Sequence, residues 1–271
     1  GPPLQGTGER PVIRLVETAA DAARFSAALA GRADPVAVET AVCFAAFRDV
    51  PGSGWKFYTG GAGEKPFALA VRDASAKLTG RADGEELAGL LAVLGARRLK
   101  SAEAAAPAGW RQDAAFDAFC APASVEVPPL PAGAVLDEDV PMTEVVALLT
   151  GGDSLAGAAG KAAADTFYAE GCALRNRGLA KVWGLRLGGR LAATAGLYAI
   201  GQSAAVLSAV ETAAPFRRKG CAAALVLRLA ADFAPRGPVS LLARPGAEGF
   251  YQKLGFEQRG RAFGFAAPET D

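Results

Sequence analysis

The sequence predicts an α/β (α+β) protein made of two similar halves, each a mixed, mostly antiparallel sheet flanked by helices. Alanine-rich patterns with helical spacing alternate with short runs of β-forming residues along the chain. A length of 271 residues, with 51% hydrophobic and 21% charged side chains, suffices for two modest domains with buried cores. A proline-rich stretch between Ala121 and Pro141 divides the chain near its middle.

The composition excludes several classes of function. The chain has no histidine, which rules out a Ser-His-Asp triad, a histidine general base and histidine-ligated metals. Its 29 basic and 28 acidic residues leave a net charge of +1, so no overall field attracts nucleic acid or an anionic membrane. We therefore expect neither as a partner, and no bound metal.

Cysteine usage favours a reducing cytoplasm. The four cysteines lie far apart and form no C-x-x-C pair, which argues against a disulfide framework or a zinc knuckle. The uncharged stretch Leu191 to Val210 is long enough to cross a bilayer, but Gly201-Gln202-Ser203 interrupts it, and a β-hairpin is the better interpretation. The cysteines are Cys43, Cys120, Cys172 and Cys221.

The first half divides into a leader and a domain. Residues 1–10 are rich in Gly and Pro and are expected to be a disordered leader, and residues 11–125 form the first predicted domain. Its predicted helices are Thr18 to Ala30, Pro35 to Phe47 and Glu85 to Leu94. Its predicted strands are Trp55 to Thr59, Phe67 to Arg72, Ala76 to Thr79, Arg98 to Ser101 and Trp110 to Phe119.

Residues 126–271 form the second predicted domain. The acidic run Asp137-Glu138-Asp139 near its start predicts a solvated face rather than a metal site. Its predicted helices are Thr143 to Leu149, Ala158 to Asn176, Lys219 to Phe233 and Ala247 to Lys253. Its predicted strands are Lys181 to Leu187, Ala192 to Ala199, Ala205 to Thr212, Val239 to Ala243 and Gln258 to Phe265.

A short alignment indicates that the two halves are related. Residues 109–119, GWRQDAAFDAF, align without gaps to residues 255–265, GFEQRGRAFGF. Three positions are identical, and the order of predicted elements before each window agrees. We therefore predict a duplicated fold.

The segment Val210 to Ala222, VETAAPFRRKGCA, lies between a predicted strand and a strongly apolar helix. Gly220 and the small Ala222 let the backbone come close to a ligand, and the helix N-terminus offers free N–H groups. Such a turn suits a pyrophosphate. Positive charge is added there by Arg217, Arg218 and Lys219.

Two motifs carry a family resemblance. Arg217-x-x-Gly220-x-Ala222 resembles the Q/R-x-x-G-x-G/A acetyl-CoA signature of the GNAT superfamily, and Val210-x-Thr212 lies where that family's fourth strand ends. Residues 250–256, FYQKLGF, resemble a later family motif in which a helix carrying an aromatic residue turns at a glycine. The resemblance implies two GNAT-like domains in tandem, the first of them degenerate and without the cofactor signature.

The resemblance also implies an N-acetyltransferase mechanism. Acetyl-CoA would be the acyl donor, the amine of a small molecule or peptide would attack the thioester directly, and Tyr251 would protonate the leaving thiolate as general acid. We expect a monomer or a homodimer. The implied cofactor-binding residues are Val210, Thr212, Arg217, Arg218, Lys219, Gly220, Cys221 and Ala222.

The sequence does not decide which group accepts the proton of the amine. Family members place a glutamate earlier on the same strand, where this chain has Val206. Glu211 is the nearest carboxylate, although strand alternation turns it away from the cleft if Val210 and Thr212 face the cleft. Water is an alternative base. Tyr168 and Glu170 are candidates for lining the acceptor pocket.

Other interpretations remain. Cys221 as a nucleophile would need a lowered thiolate pKa, and packing is the stronger interpretation. The counterpart turn of the first half, residues 81–86, RADGEE, carries three carboxylates that repel a phosphate. Alternatives to an N-acetyltransferase are a non-catalytic acyl-CoA sensor, a purely structural domain pair, and a tandem transferase resembling mycothiol synthase.

Overall fold

The computed structural model describes residues 13–60, 65–152 and 160–269. The predicted leader, residues 1–10, therefore lies outside the described residues. The helices are α1 (Ala19–Leu29), α2 (Pro35–Phe47), α3 (Gly84–Val93), α4 (Met142–Gly151), α5 (Gly160–Asn176), α6 (Cys221–Phe233) and α7 (Glu248–Lys253). The strands are β1 (Arg14–Leu15), β2 (Lys56–Gly60), β3 (Phe67–Arg72), β4 (Ser75–Thr79), β5 (Arg98–Ser101), β6 (Arg111–Cys120), β7 (Ala134–Asp137), β8 (Lys181–Leu187), β9 (Arg190–Ile200), β10 (Ala205–Thr212), β11 (Val239–Leu242) and β12 (Glu257–Ala266).

Two observed strands lie outside the predicted set, and several element ends shift by one or two residues, among them the start of α6. Strands β1 and β7 were not predicted, because each is short and β7 lies in the proline-rich stretch, where four residues show no period. Helix α6 begins at Cys221 and not at Lys219, because Gly220 has the left-handed φ of 79°. The start of α5 predicted at Ala158 lies outside the described residues.

The described residues of the first compact unit lie in three stretches of the chain: up to Arg32, from Cys43 to Phe116, and from Arg261 onward. Its strands follow the order β1-β2-β3-β4-β5, and residues Phe263–Ala266 of β12 then pair antiparallel with β5. Among the described residues of this unit, β4 and β5 pair in parallel and the other neighbouring strands pair antiparallel. The sheet and α3 bury one core, whose largest members are Phe67, Leu69, Leu78, Leu87, Leu91, Leu99 and Phe265.

The second compact unit comprises Ala33–Val42 and Asp117–Gly260. Its strand order is β6-β11-β10-β9-β8-β7, with residues Ala118–Cys120 of β6 paired to β11. Helix α6 packs on one face of this sheet, and α4 and α5 pack on the other, because successive side chains of a strand point to opposite faces. On β8, for example, Trp183 and Leu185 contribute to the α6 core and Val182 to the α4–α5 core.

The last strands of the two sequence halves exchange partners, so that the last strand of each half pairs with a strand of the other half. β6 follows β5 in sequence but pairs with β11, through Ser240↔Cys120, Leu241↔Phe119 and Leu242↔Ala118. β12 follows α7 but pairs with β5, through Phe263↔Ser101 to Ala266↔Arg98. β6 and β12 are both ten residues long and correspond in the ungapped alignment of the two halves. The predicted division of the sequence at residue 125 stays a prediction. Each of these two strands is divided between the compact units, β6 after Phe116 and β12 after Gly260.

This exchange predicts that residues 126–271 do not fold alone. The fragment lacks the strand residues that pair with β11, including Phe119, which is 1% exposed in the core. We expect the fragment to aggregate or to lack a cooperative thermal transition in circular dichroism, because the open strand edge exposes backbone groups and core surface. Co-expression with residues 1–125 should restore a soluble complex, and a monomeric fragment 126–271 that melts cooperatively would contradict the prediction.

Candidate active site

Strands β10 and β11 part in the middle of the second unit. They pair in parallel at Ala205↔Val239 and Val206↔Ser240, and the pairing ends there. β10 continues to Thr212 while paired with β9 on its other side. The N–H and C=O groups on the open edge of β10 thus face the gap between the two strands, where an extended ligand can pair with them.

A bulge in β10 decides which side chains face α6. The register with β9 jumps from Ser208↔Gly196 to Glu211↔Thr194, and Ala209 in the bulge has a φ of 53°. Val210 consequently packs against the α6 core, whereas Ala209 packs against the α4–α5 core. The bulge therefore breaks the alternation between Leu207 and Ala209, whereas Ala209 and Val210 again lie on opposite faces.

Glu211 is directed toward the end of α4. A Cβ atom on Gly152 would lie 2.5 Å from the Cδ atom of Glu211. The carboxylate therefore occupies space that is free only because residue 152 is a glycine. The Glu211 side chain is 5% exposed, and Arg217 at 47% exposure lies 3.5 Å from Oε1. The N–H of Thr212 also donates to Oε1, over 3.3 Å. Glu211 is thus a buried carboxylate at the open end of β10.

Arg217 fastens the turn that follows β10. Its Nε atom donates to the carbonyl oxygen of Thr212 over 3.1 Å, in addition to the contact with Glu211. Part of the positive charge predicted to attract a ligand is therefore engaged with the protein itself. Arg218 and Lys219 are exposed, and the Nζ atom of Lys219 lies 5.5 Å from the ring centre of Phe216.

The N-terminus of α6 has no side-chain cap. Its N-cap is Gly220, and the first intrahelical bond runs from the N–H of Ala224 to the carbonyl oxygen of Gly220 over 2.9 Å. The N–H groups of the preceding residues, including Cys221 and Ala222, have no acceptor within the helix. A Cβ atom on Gly220 would meet nothing within 4 Å. The turn therefore offers open space and N–H donors to an anion.

The corresponding turn of the first unit is arranged differently. The carboxylate of Asp83 accepts hydrogen bonds from the N–H groups of Glu85 and Glu86, over 3.1 and 2.9 Å, and so caps α3. β4 and β5 stay paired from Ser75↔Arg98 to Leu78↔Ser101. A protein carboxylate thus occupies the place that an anionic ligand would take, and the strands do not part over these residues.

Tyr251 lies in the apolar core on the α6 face of the sheet. It is 8% exposed, and its ring centre lies 6.2 Å from that of Phe119 and 5.9 Å from that of Phe256. Burial raises the pKa of Tyr251 to about 12, against the opposing effect of Arg244. The phenol therefore keeps its proton at neutral pH, as a proton donor must.

Cys221 is buried at the first turn of α6. The side chain is 2% exposed, and the Sγ atom lies 3.9 Å from the carbonyl oxygen of Phe216. Burial raises the pKa of the Cys221 thiol, with Lys219 acting in the opposite direction. The thiol form is favoured over the nucleophilic thiolate, which supports packing as the role of this residue.

Helix α5 presents the residues suggested for an acceptor pocket. Tyr168 is 41% exposed and lines a surface cleft of about 450 Å³ together with Met142, Cys172 and Arg175. Glu170 is half-buried on the same helix. One residue had no signal in the sequence: Tyr198 on β9, whose buried hydroxyl has no hydrogen-bond partner among the described residues.

The acidic run before α4 binds arginines. Asp137 lies 2.7 Å from Arg186, and Asp139 lies 2.8 Å from Arg175. Across residues 13–60, 65–152 and 160–269, no three acidic or cysteine side chains are grouped to hold a metal ion. Over the same residues, every helix is too short or too polar to cross a membrane.

Comparison with known proteins finds a family match in the C-terminal half of the chain. Residues 154–256 match the profile of the acetyltransferase (GNAT) family, and they include the open edge of β10, the turn and α7. The C-terminal half of the chain contains a GNAT domain. A search of curated protein sequences finds no match.

Solved GNAT structures share the fold. A tandem GNAT protein from the clavulanic acid biosynthesis pathway is 16% identical, with a TM-score of 0.59 over 96% of this chain and 100% of that one. A GCN5-related N-acetyltransferase from Sphaerobacter thermophilus is 15% identical, with a TM-score of 0.59 over 97% and 98%. One from Kribbella flavida is 18% identical, with a TM-score of 0.54 over 75% and 87%. The mixed α/β fold is therefore of the GNAT type, with a tandem protein among its neighbours, and the family match supports acyl transfer in general.

Proposed function

We propose that this protein is an acetyl-CoA-dependent N-acyltransferase whose donor site lies in the second unit. One observation carries the proposal: the open edge of β10 leads directly to a helix N-terminus with no side-chain cap and with exposed basic residues beside it. The open strand edge can pair with an extended polar chain, and the helix N-terminus can bind a diphosphate; coenzyme A contains both groups. An amine of a small molecule or peptide is the proposed acceptor, and the cytoplasm is the proposed location, since the four cysteines are free thiols.

The residues of the turn fit a diphosphate. The N–H groups from Arg218 to Ala222 and the charge of Lys219 would hold it, and the open space at Gly220 leaves it room. Arg217 keeps the turn attached to the end of β10, which sets the distance between the diphosphate and the strand edge. Backbone groups of Val210 and Thr212 would orient the pantetheine arm.

Two side chains would move protons. When bound, acetyl-CoA supplies an activated thioester carbonyl. Tyr251 would hold its hydroxyl proton at neutral pH and deliver it to the departing sulfur. Glu211 would take a proton from an amine that approaches on the α4–α5 face of the sheet, since its carboxylate is directed toward Gly152 on that face. Tyr168 and Glu170 on α5 are proposed to contribute to the acceptor pocket, with water as the alternative proton acceptor.

Gly220→Asp is expected to abolish donor binding. A carboxylate at this open position repels a diphosphate, and we expect acetyl-CoA affinity in isothermal titration to fall by at least about 100-fold. Gly95→Asp is the matched control, because Gly95 also has a positive φ and open space around its Cα atom. If the wild-type protein binds neither acetyl-CoA nor CoA, or if both variants lose affinity equally, the proposed donor site is wrong.

Tyr251→Phe is expected to slow turnover and to spare donor binding. We expect kcat to fall about 100-fold, at the low end of what general acid–base catalysis contributes. Since the protonated phenol is the active form and its pKa is about 12, wild-type kcat should show no alkaline loss from this group up to pH 10. Tyr58→Phe is the control, because Tyr58 is also 8% exposed. Wild-type turnover in the Tyr251 variant would contradict the general-acid role, and acetyl-CoA binding without turnover in the wild type would favour a sensor.

Glu211→Gln separates a base from a structural carboxylate. If Glu211 accepts the proton of the amine, kcat should fall about 100-fold more than in Arg217→Gln, which removes the contacts of Arg217 with Glu211 and with the Thr212 carbonyl but keeps the carboxylate. Steady-state kinetics at saturating acetyl-CoA provide the measurement. Equal losses in the two variants would show that Glu211 serves only to hold Arg217, and water would then be the proton acceptor.

A further inference from the structure

Tyr198 occupies an irregular position in β9. The register with β10 passes from Val206↔Ala199 to Leu207↔Leu197, so Tyr198 is the extra residue between two paired neighbours. Its side chain packs into the α4–α5 core, where its ring centre lies 5.0 Å from that of Phe167. Tyr198 therefore lies on the same face of the sheet as Glu211.

The ring is held between two glycines. A Cβ atom on Gly196 would lie 2.6 Å from the Cε2 atom of Tyr198, and one on Gly171 of α5 would lie 3.8 Å from Cε1. The ring thus lies over Gly196, two residues back along β9. Thr194, a further two residues back, pairs with Glu211. The Tyr198 side chain therefore leans toward the end of the sheet at which Glu211 lies.

The hydroxyl of Tyr198 is buried and has no hydrogen-bond partner among the described residues. A buried polar group without a partner is destabilising, and phenylalanine would fill the same space without that penalty. The contacts of the ring explain an aromatic residue at this position but do not explain the hydroxyl. Burial also raises the pKa of the phenol, so it stays neutral and able to donate a hydrogen bond.

We propose that Tyr198 is an acceptor-binding residue whose hydroxyl donates a hydrogen bond to a hydroxyl or carbonyl oxygen close to the reacting amine. This inference rests on the proposed acyltransferase function. Apolar side chains pack around the ring, among them Phe167, Met142 and Ala209, and Arg175 is near enough to oppose the effect of burial on the pKa of the phenol. The apolar side chains favour an acceptor with an apolar body, and Tyr198 supplies a polar contact that selects the oxygen. Loss of such a contact from a buried site reduces specificity strongly, because the polar group of the ligand is then left unpaired.

Pairs of amines that differ by one oxygen atom, such as 2-amino-1-phenylethanol and 2-phenylethylamine, are first screened for acetylation by the wild type. The test then compares Tyr198→Phe with the wild type on the pairs that are acetylated. We expect the wild type to prefer the oxygen-bearing member by about 10-fold or more in kcat/KM, and the variant to lose that preference through a higher acceptor KM. The affinity of the variant for acetyl-CoA should be unchanged, and its melting temperature should be unchanged or raised.

Three outcomes would overturn the inference. One is an unchanged preference in Tyr198→Phe, which would leave the hydroxyl without a role in the acceptor site. The second is the absence of any preference in the wild type. The third is a loss of acetyl-CoA affinity together with a lower melting temperature, which would assign Tyr198 a structural role. If the wild type binds acetyl-CoA but acetylates none of the amines, both the proposed transferase function and the acceptor role of Tyr198 are wrong. If the wild type acetylates amines and only the Tyr198 prediction is contradicted, the proposed donor site still stands.

Discussion

The parting of β10 from β11 after Val206 and Ser240 is the constraint on which the candidate site depends. Parallel strands normally satisfy each other's backbone groups along their shared length, so an open edge inside a sheet needs another partner. The bulge at Ala209 lies on this open portion of β10, and the turn that follows brings a helix N-terminus to its end. Backbone donors, acceptors and positive charge are thus arranged in sequence along one short segment of the chain.

The two units have the same order of elements, but only the turn of the second unit forms part of a candidate site. In the first unit a carboxylate from the chain caps α3, and the parallel strands stay paired. In the second unit the N-cap is a glycine, and the charge nearby is positive. The main difference between the two halves at this turn is therefore the charge at the helix N-terminus, which is negative in the first unit and positive in the second.

Buried polar groups lie on both faces of the second unit's sheet, one proposed as the donor side and the other as the acceptor side. Glu211 connects the two, because its carboxylate contacts Arg217 of the turn and fills the space beside Gly152 at the end of α4. Tyr251 belongs to the α6 core and Tyr198 to the α4–α5 core, so the two buried phenols lie on opposite faces of the sheet. A reaction between a donor in the strand gap and an acceptor from the α4–α5 side would pass between these groups.

The sequence by itself determined the regular elements and the turn. Pro35–Phe47, Lys181–Leu187 and Ala205–Thr212 have the predicted bounds, because helix and strand periodicity and the residues that end them are local properties. The spacing of Arg217, Gly220 and Ala222 likewise identified the family from adjacent residues. Only the tertiary structure decided the exchange of β6 and β12, the ion pair of Glu211 with Arg217, and the buried hydroxyl of Tyr198. Each of these depends on which distant segments pack together and on a bulge that changes the side-chain alternation, and neither is encoded in the pattern of neighbouring residues.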